Sequence, residues 1–522
     1  MMLKNLNQSD IDYIKEIYLE KSLSWDDRMQ LLMKKFNKSE RTIRKWMIKL
    51  GVKERKEVVP EQLEIAKLKQ HDAGKKRFII SWAQNNTEIN KKLLRNIECY
   101  SRFIDAEILI IAGRYSNRLE TLKKDTKESW AEEILPYLDA NRHYIHPHLC
   151  VLSDIKISAT AVNPLTSLES ITGEESSIFG HPRMHLKTLP VLEGQRMKTM
   201  CTTGCITIPN FTNSKLGSVG LHHYTPGFCI VEIRDSDIFH LRQVTSTKNG
   251  DFVDLFYKVS NEKVTKIETM DALIMGDIHL SEVNEDVVDT TFNVLCKKLI
   301  PKNIILHDLI DSSSISHHNL NNPFKLHRQE IEGKNSLEDE INQMLNWLEK
   351  IKNYNVVVVK SNHHDHVDKF LETTDWRKMT TLKNAIPYMS LALEILNNKA
   401  PNGIIAHLIQ KKFPNFKCLG DNDSFKVKGI ELAVHGHIGI SGSRANIQQY
   451  RKLNTRMCVA HSHVACRLDG VSSVGTSSKL RMYNIGPSAW SNCHVSINEF
   501  GKMQHIFFIK NKNGKYEFTT FE

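Results

Sequence analysis

The chain has 522 residues, 40% apolar and 25% charged, an ordinary globular composition that excludes a disordered chain, a collagen or a disulfide-stapled miniprotein. Lysine and arginine number 71 against 60 aspartates and glutamates, a formal charge of +11 that favours a polyanionic partner. The longest apolar runs, such as Ile108–Ala112 and Val356–Val359, fall far short of the roughly 20 residues of a membrane span.

No membrane association is therefore expected. The segment Met1-Met2-Leu3-Lys4-Asn5-Leu6 lacks the apolar stretch of a secretory leader. The ten cysteines are mostly isolated, and the nearest pair, Cys201 and Cys205, has three residues between. That usage predicts a reduced, cytoplasmic protein.

The first fifty residues carry helix punctuation. Ser9 is read as the cap of a helix to about Leu19, and Ser24 as the cap of a second, with Asp26 and Asp27 in its first turn. Met29, Leu32, Met33 and Phe36 form one apolar stripe. Asn37 and Lys38 make the turn. Ser39 opens a third helix striped by Ile43, Trp46, Met47 and Leu50 and stopped by Gly51. Arg41, Arg44 and Lys45 leave by its other face. Residues 1–52 thus resemble a helix-turn-helix, with those three cations as candidate DNA contacts. A small helical bundle with a packing role fits the same pattern.

Residues 53–75 are charged and read as a linker. Residues 76–265 read as an α/β domain whose role the sequence does not reveal. Phe78–Ile80 is a predicted strand, Leu93, Ile97, Tyr100 and Ile104 a helical stripe, and Ile108–Ile111 a second strand. Short strands follow, among them Cys205–Ile208 and Phe228–Ile233. His181, His185, His222 and His223 lie in this stretch, and a core or loop role is expected for them in preference to a metal site.

From Leu273 the pattern changes. Five apolar segments each end in a polar cluster: Leu273–Met275 in Asp277-Ile278-His279, Ile304–Leu306 in His307-Asp308 with Asp311 beyond, Val356–Val359 in Asn362-His363-His364, Ala433–Val434 in His435-Gly436-His437, and Cys458–Ala460 in His461-Ser462-His463. Residues two apart on an extended segment point to the same side, so Asp277 and His279 can grip one ion. Layered α/β folds place sites at such strand ends. Carboxylates with imidazoles suit manganese, iron or zinc in preference to calcium. There are donors enough for two divalent ions.

The order Asp277-x-His279, Asp308, Asn362-His363, His435 and His461-x-His463 resembles the calcineurin-like metallophosphoesterase superfamily over roughly residues 270–490. Asn484-Ile485-Gly486-Pro487-Ser488 is similar to a turn that often follows the family's last histidine pair. Where the family has glycines before the second aspartate, before Asn-His and before His-x-His, this chain has His307, Ser361 and Ala460, so the loop geometry there is expected to differ. The resemblance implies a two-sheet αββα domain over 266–522. It implies one ion on Asp277, His279, Asp308 and His463, and a second on Asp308, Asn362, His435 and His461. It also implies a metal-bridging hydroxide attacking phosphorus, with His363 assisting the leaving oxygen. Manganese is the expected ion, with iron or zinc as alternatives. His437 is placed beside the ligands, and His317, His318, His364 and His366 as phosphate contacts or solvated loop residues.

Phe78–Tyr115, Ser158–Glu169, Phe179-Gly180-His181-Pro182 and the stretch from Thr202-Thr203-Gly204 to His222-His223 are similar to a region that accompanies this phosphoesterase domain in large tailed phages. That resemblance implies a phage DNase acting early on host DNA in the host cytoplasm. The superfamily also contains phosphomonoesterases and nucleotidases. In that alternative the N-terminal helices serve assembly, including homo-oligomer formation.

Overall fold

A computed structural model of the protein describes residues 6–19, 25–50, 62, 66, 74–115, 128–316, 319, 322–378, 383–397, 399–482 and 484–521. It is a mixed α/β protein with several sheets. It divides into two compact units, Met1–Glu61 and Gln62–Glu522.

The first unit contains helices Gln8–Leu19, Trp25–Phe36 and Glu40–Lys49. Ile14, Met29, Leu32, Ile43, Trp46 and Met47 form its buried cluster, and Met33, Phe36 and Leu50 pack against it, as the stripes require. The first cap is Asn7, not Ser9. The Asn7 carboxamide accepts from Asp10 N at 2.9 Å, and the Asp10 carboxylate accepts from Asn7 N at 3.2 Å, a reciprocal box two residues earlier than expected. Ser39 precedes the third helix, but its hydroxyl meets the Thr42 hydroxyl and caps no amide. Asn37 makes the turn in the left-handed region, with φ 47°. Ser24, Gly51 and most of the 53–75 linker lie outside the described residues.

The second unit begins with the expected strand-helix-strand. Strand Arg77–Gln84 runs parallel to Glu107–Gly113, connected by helix Lys91–Ile104, which Asn90 caps by accepting from Leu93 N. A five-stranded sheet has the order Phe239–Thr245, Gly227–Ile233, Arg77–Gln84, Glu107–Gly113, Leu138–Asp139. The predicted strand at Cys205–Ile208 reduces to isolated bridges, Cys205 with Pro226 and Thr207 with Ile89. The neighbouring full strand is Lys198–Thr202.

Two larger sheets carry the histidine-rich segments. One has six strands, Lys417–Leu419, Val356–Val359, Ile304–Leu306, Ala272–Ile274, Cys493–Ile497 and Met503–Phe507, the first four mutually parallel. Its side chains alternate cleanly. Leu273, Ile304, Leu306, Val356 and Val358 join a core with Met344, Trp347 and Leu348 of helix Leu337–Glu349 and with Ile405 and Ile409 of helix Ile404–Lys412. Ala272, Ile274, Ile305, Val357 and Val359 face the other way and meet Ile430, Cys458 and Val474 of the second large sheet. That sheet has ten strands and crosses position 265/266, because Cys466–Leu468 pairs with His185–Leu189. One fully apolar layer therefore fixes the two sheets face to face and brings their carboxyl ends together.

Candidate metal centre

Each predicted cluster follows a strand or its extension. Asp277 comes three residues after strand Ala272–Ile274, Asp308 two after Ile304–Leu306, and His461 two after Met457–Val459. The fourth differs from expectation. The paired strand there is Ile430–Glu431, and Ala433–Val434 continues from it outside any strand. The Glu431 carboxylate accepts from the amides of Phe425, Leu432 and Ala433, and Leu432 N also reaches the Phe425 carbonyl at 2.9 Å.

The loops turn sharply at the donors themselves. His279, Asp308, His461 and His463 have φ of 47°, 44°, 68° and 57°. A non-glycine residue there costs about 1–3 kcal/mol, and His and Asp tolerate it better than bulkier residues. None of His307, Ser361 and Ala460 has a positive φ. The left-handed backbone therefore falls on the candidate donors themselves. Ser361 gains a role of its own as N-cap of helix Asn362–Thr373, so Asn362 and His363 are the first two residues of that helix. Gly436 is required: with φ 119°, an added Cβ would lie 2.9 Å from the Ala460 carbonyl oxygen.

Donor atoms of Asp277, His279, Asp308 and His463 lie within 4.8 Å of one another, all four residues buried. His463 Nε2 is 3.1 Å from Asp277 Oδ2, and His279 Nε2 is 3.6 Å from Asp308 Oδ2. The Nε2 atoms of His279 and His463 are only 3.0 Å apart. Two imidazole nitrogens at about 2.1 Å from one ion and at right angles to each other would have that separation. Asp308, His435 and His461 form a second group. His435 Nε2 lies 3.1 Å from Asp308 Oδ2 and 3.1 Å from Asn362 Oδ1. Asp308 belongs to both groups.

Oδ1 of Asp277 and Oδ1 of Asp308 have no hydrogen-bond partner among the described residues, although both carboxylates are buried, and Asp277 Oδ2 has the His463 Nε2 contact beside it. A buried carboxylate without donors is strongly unfavourable unless a cation compensates it. These groups of buried histidine and aspartate could hold a metal ion, and the donor set fits one.

The charges agree. Burial opposes ionisation of Asp308, but His435 and the other imidazoles outweigh it and hold the carboxyl well below its usual range. Burial likewise opposes a charged His279, yet Asp311 overrides it and raises the imidazole to about 9. His461 behaves oppositely, lowered to about 4 by burial and by His435.

Asp311 organises more of the centre than sequence reasoning assigned to it. Its carboxylate takes the His279 Nδ1 contact at 2.7 Å and also accepts from the amide and hydroxyl of Ser281. That leaves His279 Nε2 facing the other donors, the usual arrangement for a metal-binding imidazole. The Asp311 backbone carbonyl accepts from His363 Nδ1 at 3.0 Å. The signal was the carboxylate three positions after Asp308, but its partners are set by a loop.

The remaining expectations divide. His437 lies beside the second group, its ring 5.3 Å from that of His435 and its Nε2 3.7 Å from Asp365. His364 and His366 sit on helix Asn362–Thr373, not on a solvated loop. His364 is among the buried residues of that helix, with Val367 and Phe370, and it feels the charges of Asp308 and His435. His317 and His318 lie outside the described residues. His181 is buried, bonded to the Ser158 carbonyl at 3.0 Å and to Arg183 N at 3.1 Å. His185 and His223 approach Asp469 instead, and His222 is exposed. None of these four joins a candidate metal group among the described residues. Arg41, Arg44 and Lys45 are exposed on helix Glu40–Lys49, with Arg44 Nη2 2.5 Å from Glu40. No helix among the described residues is long and apolar enough to cross a membrane.

The chain is similar to Protein A1 of Escherichia phage T5, 28% identical over 474 aligned residues that cover 84% of this chain and 83% of that protein. This likeness supports a phage origin. No protein-family model and no solved structure matches the chain.

Proposed function

We propose that this protein is a two-metal phosphodiesterase that hydrolyses DNA, a phage DNase of the kind made early in infection against host DNA. The observation that carries the reading is Asp308, a buried carboxylate shared between two donor groups and without a hydrogen bond on Oδ1 among the described residues. The facing of two sheets behind these donors is what a calcineurin-like metallophosphoesterase domain requires, and it supports the resemblance in the motif order.

Two divalent ions, manganese first among them, would supply a nucleophile near neutral pH and neutralise charge on the phosphoryl oxygens. Asp277, His279, Asp308 and His463 would hold one, and Asp308, Asn362, His435 and His461 the other. The chain's own residues do the rest. Asp311 keeps the His279 proton on Nδ1. The same residue's carbonyl keeps His363 Nδ1 occupied, so His363 Nε2 is the atom left to give a proton to the leaving oxygen. The basic face of Arg41, Arg44 and Lys45 would hold duplex through its phosphates.

The test is a manganese-dependent assay on linear and closed-circular duplex, beside an Asp308→Ala control and a phosphomonoester. DNA loss that the control lacks supports the reading. Hydrolysis of the monoester alone, with DNA intact, would move the protein to the phosphomonoesterase class and leave the N-terminal helices an assembly role.

A further inference from the structure

Helix Pro323–Ile331 buries none of its nine residues. Asn322 caps it by accepting from Lys325 N at 3.2 Å. A helix this short is marginal in water without packing. What holds it is the loop that leaves Asp311. Gln329 Nε2 and Asn319 Nδ2 both donate to the Ser313 carbonyl at 2.9 Å, and Lys325 Nζ donates to Asn319 Oδ1 at 3.2 Å. That loop is itself fixed. The Glu340 carboxylate accepts from the amides and hydroxyls of Ser313 and Ser314, and Ser312 Oγ donates to the His363 carbonyl at 3.0 Å. The helix is thus built onto the segment whose Asp311 carbonyl holds His363 Nδ1.

Lys325 and Gln329, four residues apart, turn inward to the loop, so another face looks outward. It carries Phe324, His327, Arg328 and Ile331 at the i, i+3, i+4 and i+7 spacing of a single face, all exposed. Phe324 is 87% exposed and Ile331 73%. Arg328, in the middle, forms no ion pair among the described residues. Glu330, the one acid of the helix, lies off this face and accepts from Asn335 Nδ2. An aromatic ring beside an uncountered guanidinium suits a nucleic-acid strand, the ring stacking on a base and the cation taking a phosphate. A second copy of the chain suits it less, because Arg328 would meet its own equivalent across the two-fold axis.

We propose that this outer face binds the substrate strand on the His363 side of the metal centre, with Phe324 stacked on an unpaired base and Arg328 on a neighbouring phosphate. A base within a duplex is already stacked on both sides, so this face takes single-stranded, frayed or opened DNA. The inference rests on the phosphodiesterase reading and names the form of DNA that the centre receives.

Full-length protein with manganese would be assayed on a single-stranded oligonucleotide and on an abasic strand of the same length. Phe324→Ala should raise KM for the oligonucleotide about tenfold, the usual effect of losing one base stack. Phe324→Trp should keep the parent KM, and Phe324→Leu should not. The abasic strand should cost the parent about tenfold, and Phe324→Ala protein should no longer distinguish the two strands. Arg328→Ala should reduce the salt slope of binding by about 0.7, one phosphate contact on a single strand. Thermal melting identifies any variant that misfolds, and the comparison of strands on the parent does not depend on the variants. A parent that cuts DNA while folded Phe324→Ala protein keeps the same KM would overturn this proposal alone. So would full rescue by Phe324→Leu, which would make the contact merely apolar, or a parent indifferent to the loss of bases. A parent that cuts no form of DNA would overturn the DNA reading, and this proposal with it.

Discussion

His279 Nδ1 is held 2.7 Å from an Asp311 carboxylate oxygen, and the backbone carbonyl of the same Asp311 takes His363 Nδ1 at 3.0 Å. One loop residue thus orients an imidazole of the candidate metal group and the imidazole proposed to assist the leaving oxygen.

Asp311→Asn should therefore act on His279 and leave the backbone contact to His363 in place. Losing the carboxylate lets the His279 ring choose the other tautomer, and such partners typically govern metal affinity by about 10–100-fold. Calorimetric manganese titration should show weakening in that range, whereas an Asp311→Glu variant should recover part of it. Unchanged affinity in Asp311→Asn would mean that His279 does not bind the ion.

Asp308→Ala removes the only donor common to both groups. Manganese bound per chain, measured by elemental analysis after gel filtration, should fall for both sites together, and activity on every phosphoester should vanish. Loss of one equivalent with the other retained at full affinity would show that Asp308 does not bridge.

His363→Ala should leave manganese content near that of the parent while slowing turnover by roughly 10²–10⁴-fold, the usual contribution of a general acid. A substrate with a good leaving group, such as a nitrophenyl ester, should recover most of the rate because it needs little protonation. A parent-like rate on DNA would remove His363 from the assigned role.

Arg44→Ala with Lys45→Ala should weaken duplex binding and flatten its salt dependence, since fewer counterions are displaced from the phosphates. Stability should barely change. The Arg44–Glu40 pair is exposed on one helix, and such pairs contribute about 0–1 kcal/mol. Equal affinity and an equal salt slope would return this helix to a packing role.

Chelated protein should lose stability at mildly acidic pH. Burial lowers His181 and His494 to about 3 and His505 to about 4. Above the unfolded pKa, about 6.5, these imidazoles are neutral in both states and contribute nothing. Below it the unfolded chain takes protons that the folded chain refuses, so unfolding becomes easier as pH falls, until the folded pKa values are reached. At pH 5 each contributes up to about 2 kcal/mol of destabilisation. His279, raised to about 9, opposes this above pH 6.5, so urea titrations in EDTA should show the midpoint falling between pH 6 and 5; no fall there would contradict the burial of these rings.

The alternation of side chains along Ala272–Ile274, Ile304–Leu306 and Val356–Val359, and the polar groups that follow them, were legible in the sequence because period-two patterning and strand termination are local properties. The stripes through Met29–Phe36 and Ile43–Leu50 were legible for the same reason. Local competition was harder to read. Asn7 and Ser9 are both good caps, and Asn7 prevails because Asp10 completes a reciprocal bond. Ala433–Val434 looks like a strand, but the Ala433 amide is taken by the Glu431 carboxylate.

By itself, then, the sequence determined the helical and strand periods, the order of the donor residues and the excess of positive charge, all of which depend on residues within a few positions of one another or on simple totals. Only the tertiary structure decided that Asp308 joins two donor groups, that Asp311 serves two histidines, that His364 turns inward, and that one sheet runs from His185–Leu189 into Cys466–Leu468. Those contacts join segments far apart along the chain. Burial of apolar faces brings them together, and no local pattern encodes which faces meet.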